Sequence, residues 1–185
     1  ITLTAGAFDG TEGSITNNGS IVANAVTGKD TAGNPVGGTA NVTFKAEKGG
    51  IENTGTITAT AGDVKDAEGN VVKAGNASII MNAKNVTNNN TINAQTNVDI
   101  DATDGNIDNN ANITVENGNI NENAGGYIKS KDNGRTPITL KSINGSIKIE
   151  ANGDINLYEV IANNGTADIQ SATGNIYLRN VNGKE

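Results

Sequence analysis

The sequence has no cysteine, no histidine and no tryptophan, and only two prolines among its 185 residues. Without cysteine, the chain has no disulfide, no thiol nucleophile and no thiolate metal site. Without histidine, it lacks the imidazole of the common catalytic triads and the usual zinc ligand sets. Aromatic residues make up 3% of the chain, so large rings cannot form most of its interior. The composition therefore predicts a protein that has no cofactor and is not an enzyme.

Charge and hydropathy argue against two further classes of partner. The formal net charge is −7 and the isoelectric point is about 4.6, which suits neither nucleic acid nor an anionic lipid surface. No apolar run approaches the roughly 20 residues that a membrane-spanning helix needs. The sequence begins at Ile1 with neither an initiator methionine nor a signal peptide. We therefore expect residues 1–185 to be a single segment excised from a longer exported protein.

One alternating phrase recurs four times along the chain. Its clearest copy, GGIENTGTITA from Gly49 to Ala59, places apolar, small or Asn residues at every second position and polar residues between them. A period of two residues is typical of a strand with one buried face. The other copies begin at Gly13, Asn85 and Asn106. This recurrence indicates a repeat protein.

The length of the repeat predicts the fold. A shorter alternating stretch precedes the phrase, and the step from Val86 to Ile107 shows that one repeat closes in 21 residues. A unit of this size cannot bury its own apolar face, so it must stack on its neighbours. The pattern contains strands and no helical periodicity. It therefore predicts an all-β right-handed parallel β-helix, with about 20 residues per coil, about seven coils and short hairpin insertions.

A column of asparagines shares the inward side of the repeat. Buried amides must find hydrogen-bond partners, and stacked identical amides can donate to one coil and accept from the other. We expect a structural ladder rather than a ligand site. Gly19 and Gly55, which follow two of these asparagines, suggest corners that need a positive φ. The predicted ladder consists of Asn17, Asn53, Asn88 and Asn109.

Two insertions, 26–39 and 62–76, share the pattern K-D-x-x-G-N-x-V at the same offset as their coils. Turn residues between β-formers predict two hairpins that lie side by side. A third loop follows Tyr127 and contains an Asn-Gly turn. Solenoids place recognition in such insertions, although a tolerated surface loop is the alternative. The candidate ligand-binding residues are Lys29, Asp30, Lys65, Asp66, Lys131 and Asp132.

Two outward-facing groups carry weaker predictions. Tyr158 and Tyr177 could stack on sugar rings, although isolated exposed aromatic residues are common. Asp99, Asp101 and Asp104 offer hard oxygen ligands that could hold Ca²⁺. Their spacing does not match an EF-hand, and carboxylates on one strand face are more often solvated. We therefore predict no metal site.

The phrase G-x-I-x-N-x-G-x-I-x-A resembles the haemagglutinin-type repeats of two-partner-secretion exoproteins, the filamentous-haemagglutinin-like adhesins of Gram-negative bacteria. The resemblance covers 13–25, 40–61, 77–94 and 96–115. It implies a secreted fibre held at the bacterial cell surface, with roles in cell adhesion and virulence. It also implies a glycan or protein receptor on host cells, matrix or other bacteria, and an outer-membrane transporter for the parent protein. No binding residue carries over from the family.

Two alternatives remain open at this stage. The chain could be a passive stalk that presents a toxin or adhesive tip elsewhere in its parent, as in contact-dependent inhibition proteins. It could also be a β-helix carbohydrate-active enzyme, although glycoside hydrolysis requires two carboxylates at a defined separation.

Overall fold

The structure is a computed structural model that describes residues 1–6, 12–130 and 137–184. Within these ranges the chain forms strands and no helix. Seventeen strands belong to one continuous sheet, and its strand pairs are parallel. The sheet winds through seven coils, and each coil contributes one segment to each of three columns of strands. The predicted parallel β-helix is therefore confirmed.

The strands of each column are as follows. The first column contains β1 (Thr2–Thr4), the first part of β6 (Thr39–Asn53), the first part of β10 (Asn76–Asn88), β12 (Asn97–Ala102), β15 (Ile120–Ala124), β18 (Ile147–Ala151) and β20 (Ala167–Ser171). The second contains β2 (Ile15–Asn17), the second parts of β6 and β10, β13 (Ile107–Asn109), β16 (Ile128–Ser130), and the first parts of β19 (Ile155–Ala162) and β21 (Ile176–Gly183). The third contains β3 (Ile21–Ala25), β7 (Ile57–Ala61), β11 (Ile92–Ala94), β14 (Ile113–Val115), β17 (Thr139–Ser142), and the second parts of β19 and β21.

An in-register column of branched apolar residues runs through all seven coils. Strand pairing places these residues directly over one another: Ile15, Ile51, Val86, Ile107, Ile128, Ile155 and Ile176. The sequence steps between them are 36, 35, 21, 21, 27 and 21 residues. A step of 21 residues closes one uninterrupted coil, and the two longest steps contain the hairpin insertions.

The core is built from these stacked small and branched side chains. Most inward Ile, Val and Ala residues of the middle coils are fully buried. The largest buried ring, Phe44, lies over Met81 in the next coil. Packing identical side chains one strand spacing apart removes their apolar surface from water without large rings. This explains how a chain so poor in aromatic residues forms a continuous interior.

The glycines at the Asn corner have a different role from the predicted one. The described glycines with positive φ are Gly33, at 84°, and Gly69, at 88°, and both lie in the hairpin turns. Gly19 and Gly55 do not have a positive φ, so that prediction was wrong. Gly55 is instead required by close stacking, because a Cβ atom there would collide with the carbonyl oxygen of Gly19 in the preceding coil.

Candidate binding groove

The two insertions form the predicted antiparallel hairpins. In the first, β4 (Gly28–Lys29) pairs with β5 (Pro35–Val36), and in the second, β8 (Val64–Lys65) pairs with β9 (Val71–Lys73). The hairpins lie side by side, since Lys73 Nζ donates to the Pro35 carbonyl oxygen at 2.8 Å. At their bases, Gly38 N donates to Gly62 O at 2.9 Å.

The aspartates of the shared motif close the hairpin turns. Asp30 Oδ1 accepts from the backbone amides of Ala32 and Asn34, and Asp30 Oδ2 accepts from Asn34 Nδ2. Asp66 makes the same three contacts with its own turn. In each hairpin the Asn side-chain hydrogen bond is the main cause that lowers the pKa of the aspartate. The repeated K-D-x-x-G-N-x-V pattern is thus explained by turn structure, whereas Lys29 and Lys65 remain exposed.

The other predicted site residues lie apart from one another. Lys131 and Asp132 fall outside the described residues. Tyr158 is half-buried, and the guanidinium carbon of Arg179 lies 4.8 Å from its ring centroid. Asp99 and Asp101 accept hydrogen bonds from Asn121 and Asn123 of the next coil, at 2.6 Å and 3.3 Å. Asp104 lies in the turn after β12. In the described part of the chain, no cluster of three or more acidic residues could hold a metal ion.

A ladder of polar side chains lines the corner between the first and second columns. Its positions are those immediately before the stacked Ile or Val, where a Ser, Asn or Asp side chain accepts from the backbone amide of the equivalent residue one coil later. Gly50 has no side chain, so it makes no such contact. Asn85 Oδ1 accepts from Asn106 N, and Asn106 Oδ1 accepts from Tyr127 N, both at 2.9 Å. Ser14 and Asp154 make the same contact with Gly50 and Asn175.

Tyr127 interrupts this corner ladder. The equivalent residues are Ser14, Gly50, Asn85, Asn106, Asp154 and Asn175. A tyrosine ring cannot fold back to accept the backbone amide of the next coil, as Asn or Asp does. The ring instead points along the outer surface, where its hydroxyl reaches Asp108 Oδ2 at 3.4 Å. The repeat loses a structural contact here and gains a half-buried aromatic ring at the surface.

The interruption borders an open groove of about 610 Å³ over coils four to seven. Tyr127 and Tyr177 line it, and its floor includes the stacked glycines Gly126, Gly153 and Gly174. The polar residues at its walls are Asn106, Lys129, Asp154, Asn156 and Thr173. A volume of this order is typical of small-molecule binding sites, which combine apolar surface with a few polar groups.

Lys129 is held in a small ionic cluster at one wall of the groove. Its ammonium nitrogen lies 3.1 Å from Asp108 Oδ1, donates to the Tyr127 hydroxyl at 3.0 Å, and lies 4.2 Å from the Tyr127 ring centroid. The hydrogen bond to Tyr127, followed by the one to Asp108, raises the pKa of Lys129. These contacts fix the position of the Tyr127 ring and neutralise the lysine charge.

The interior contains a second polar feature, the asparagine ladder. Asn17 Nδ2 donates to Asn53 Oδ1 at 2.7 Å, and Asn53 Nδ2 donates to Asn88 Oδ1 at 2.9 Å. The fourth predicted member, Asn109, does not continue the ladder, because its Nδ2 donates to Glu122 Oε1 at 2.7 Å. Asn88 Nδ2, Asn109 Oδ1 and Glu122 Oε2 are buried and have no hydrogen-bond partner.

Sequence reasoning missed both Tyr127 as a groove residue and Glu122 as an interior one. The sequence alone places Tyr127 at the start of the third loop, although the small residues at the equivalent positions distinguish it. Glu122 lies between Ile120 and Ala124 on the inward parity of β15. Both signals become visible once the repeats are aligned and each position is compared across the coils.

No protein-family model, no curated protein and no solved structure matches this chain. The described residues also include no helix long and apolar enough to cross a membrane. The groove and the repeat pattern are therefore the features from which a function can be inferred.

Proposed function

We propose that this chain is a segment of an exported, surface-held fibre that attaches bacteria to host cells, matrix or other bacteria. The resemblance of the repeats to filamentous-haemagglutinin-like adhesins supports export through an outer-membrane partner and display at the cell surface. The stacked architecture supports a shaft, because each coil contacts its neighbours and the interior is continuous from β1 to β21.

The observation that carries the proposal is the break in the corner ladder at Tyr127. A passive stalk needs only a small residue at this corner, and six of the seven coils have Ser, Gly, Asn or Asp there. This chain places a half-buried tyrosine there, beside a groove that Lys129, Asn156 and Tyr177 also line. A local violation of a repeat rule is typical of a functional site. The attachment role is therefore favoured over the stalk alternative.

The enzyme alternative has less support. Among the described residues that line the groove, Asp154 is the one carboxylate, and its Oδ1 accepts from Asn175 N at 2.7 Å. Glycoside hydrolysis requires a second carboxylate across the scissile bond. An assay for the release of reducing ends from polysaccharides tests this alternative directly, and we expect no activity.

Attachment can be tested with beads that carry the 185-residue chain. We expect these beads to adhere to bacterial or epithelial cell surfaces above the level of uncoated beads, and we expect Tyr127→Asn to abolish the difference. The substitution introduces the residue found at the equivalent positions of coils three and four, so it restores a ladder acceptor and should preserve the fold. Tyr158→Ala, outside the groove, is the matched control. If coated and uncoated beads adhere equally, the chain is a passive stalk.

A further inference from the structure

The groove allows an inference about the ligand, which deepens the proposed attachment role and depends on it. We propose that the groove binds a neutral oligosaccharide of about three pyranose rings, the first and third stacked on Tyr127 and Tyr177. Three features indicate this ligand: the rings of Tyr127 and Tyr177, the polar groups between them and the charge of the groove.

The two tyrosines lie at a suitable separation along the stack. Tyr127 belongs to coil five and Tyr177 to coil seven, so they are about 10 Å apart along the axis, or twice the spacing of neighbouring strands. Tyr177 has 56% of its surface exposed. Pyranose rings present C–H faces that pack against aromatic rings. A linear oligosaccharide advances by about one strand spacing per pyranose, so tyrosines two coils apart match the first and third sugars of a trisaccharide.

The polar groups between the rings suit hydroxyl groups. Asn156 offers an amide that both donates and accepts, and Asp154 offers carboxylate oxygens that accept. The Thr173 hydroxyl already donates to Asn152 O, so it offers an acceptor. The hydrogen bond from Asn175 N to Asp154 Oδ1 orients the carboxylate at the corner. A sugar carries closely spaced donors and acceptors, so such a mixed set can satisfy its hydroxyls after they lose water.

The charge of the groove favours a neutral sugar over an acidic one. Lys129 is the basic residue of the groove wall, and Asp108 already pairs with it at 3.1 Å. A sialylated or uronic sugar would have to displace Asp108 from Lys129 and would lie near the Asp154 carboxylate. Because like charges in a partly enclosed site repel each other, an acidic ligand is disfavoured.

The Tyr127→Asn substitution should remove sugar binding without lowering the stability of the fold. The substitution removes one stacking ring and introduces an amide that can accept the Asp154 backbone amide, as Asn106 accepts that of Tyr127. We therefore expect an unchanged or higher melting temperature together with the loss of sugar binding. Tyr177→Ala removes the second ring from an exposed position. Tyr158→Ala removes the tyrosine that does not line the groove.

The test is a glycan array that holds neutral hexose and N-acetylhexosamine oligosaccharides beside sialylated, sulfated and uronic ones, followed by titration calorimetry with the best neutral trisaccharide. We expect neutral members to bind, with affinity reduced by about tenfold or more in Tyr127→Asn and Tyr177→Ala and unchanged in Tyr158→Ala.

The outcomes of the array and of the bead assay separate the two proposals. Binding of acidic glycans alone, no binding of any neutral glycan, or neutral binding that survives Tyr127→Asn would overturn the sugar assignment. If the beads still attach in that case, the attachment role stands with a different ligand. Neutral sugar binding without bead attachment would support the groove assignment and contradict the attachment role.

Discussion

Glu122 occupies an inward position that apolar residues hold in the coils on either side. Its register partners in the first column are Ile100 and Ile149, and the residue is 2% exposed. Burial raises the pKa of Glu122 from an ordinary value of 4.5 to about 7, although the hydrogen bond from Asn109 acts in the opposite direction. A protonated carboxyl gains a donor, whereas Asn109 Oδ1 is an acceptor with no partner. The neutral acid therefore suits this interior better than the carboxylate does.

This raised pKa predicts that the fold loses stability as the pH rises. Below pH 4.5 Glu122 is protonated in both the folded and the unfolded chain, so it imposes no penalty. Between pH 4.5 and about 7 the unfolded chain ionises first, and the free energy of unfolding falls by about 3 kcal/mol before it levels off. Glu122→Gln carries no ionisable group, so we expect it to abolish this loss and to be the more stable protein above pH 7.

Urea denaturation of both proteins from pH 4.5 to about pH 8 measures this difference, because the other titrating groups are common to both and cancel. Glu116→Gln, on the exposed turn after β14, is the matched control and should follow the wild type. A constant difference between wild type and Glu122→Gln across the range would show that Glu122 titrates normally.

At the scale of residues, alternation predicts which side chains point inward but not how they pair. The positions of Asn17, Asn53 and Asn88 were predictable because all three share one phrase and one parity. The departure of Asn109 was not, since it depends on Glu122, thirteen residues later and in the next coil. Contacts across columns depend on the coil geometry, which a two-residue period does not describe.

At the scale of elements, the hairpins were the most predictable local structures. Their turn residues, Asp-x-x-Gly-Asn, have a direct physical reason: Asp accepts the turn amides, and Gly33 and Gly69 take a positive φ. The corner ladder was harder to predict, because Ser, Gly, Asn and Asp there also fit an ordinary turn. Only the strand register shows that these residues stack and that Tyr127 is the exception.

Replacing the hairpin tips with short Gly-Ser turns should change stability little. The tips, 28–36 and 64–73, pair within themselves as two-stranded sheets outside the main stack. Shortening an exposed loop changes the entropy of closure only slightly, so we expect the melting temperature of the double replacement to stay within a few degrees of the wild type. Differential scanning calorimetry measures this.

The same double replacement tests where recognition lies. If the groove binds the ligand, beads that carry the variant should adhere as wild-type beads do, since the hairpins belong to coils one to three and the groove to coils four to seven. Loss of adhesion with an unchanged melting temperature would instead assign recognition to Lys29 and Lys65, as the sequence first indicated.

At the scale of the whole molecule, stability should depend on position in the stack. In a solenoid the free energy is approximately a sum of coil terms and nearest-neighbour interfaces. β10 pairs with β6 over twelve residues on one side and with β12 and β13 on the other. Among the strands of the described ranges, β21 pairs with β19 alone, and its inward Ile176 and Leu178 are 43% and 36% exposed.

This difference predicts a gradient of hydrogen exchange along the 185-residue chain. Opening β21 breaks one interface and exposes side chains that are already partly in water, so its amides should exchange first and with little dependence on denaturant. Opening β10 breaks interfaces on both sides, so its amides should exchange last, close to the global free energy of unfolding. Native-state exchange followed by mass spectrometry measures both.

Ile92→Ala, in the middle of the stack, should cost about 2–4 kcal/mol, because it leaves a cavity between Ile57 and Ile113. Ile176→Ala, in the last coil, should cost clearly less. Equal protection of β10 and β21, with equal costs for the two substitutions, would mean that the coils unfold as one cooperative unit and that nearest-neighbour additivity does not hold for this solenoid.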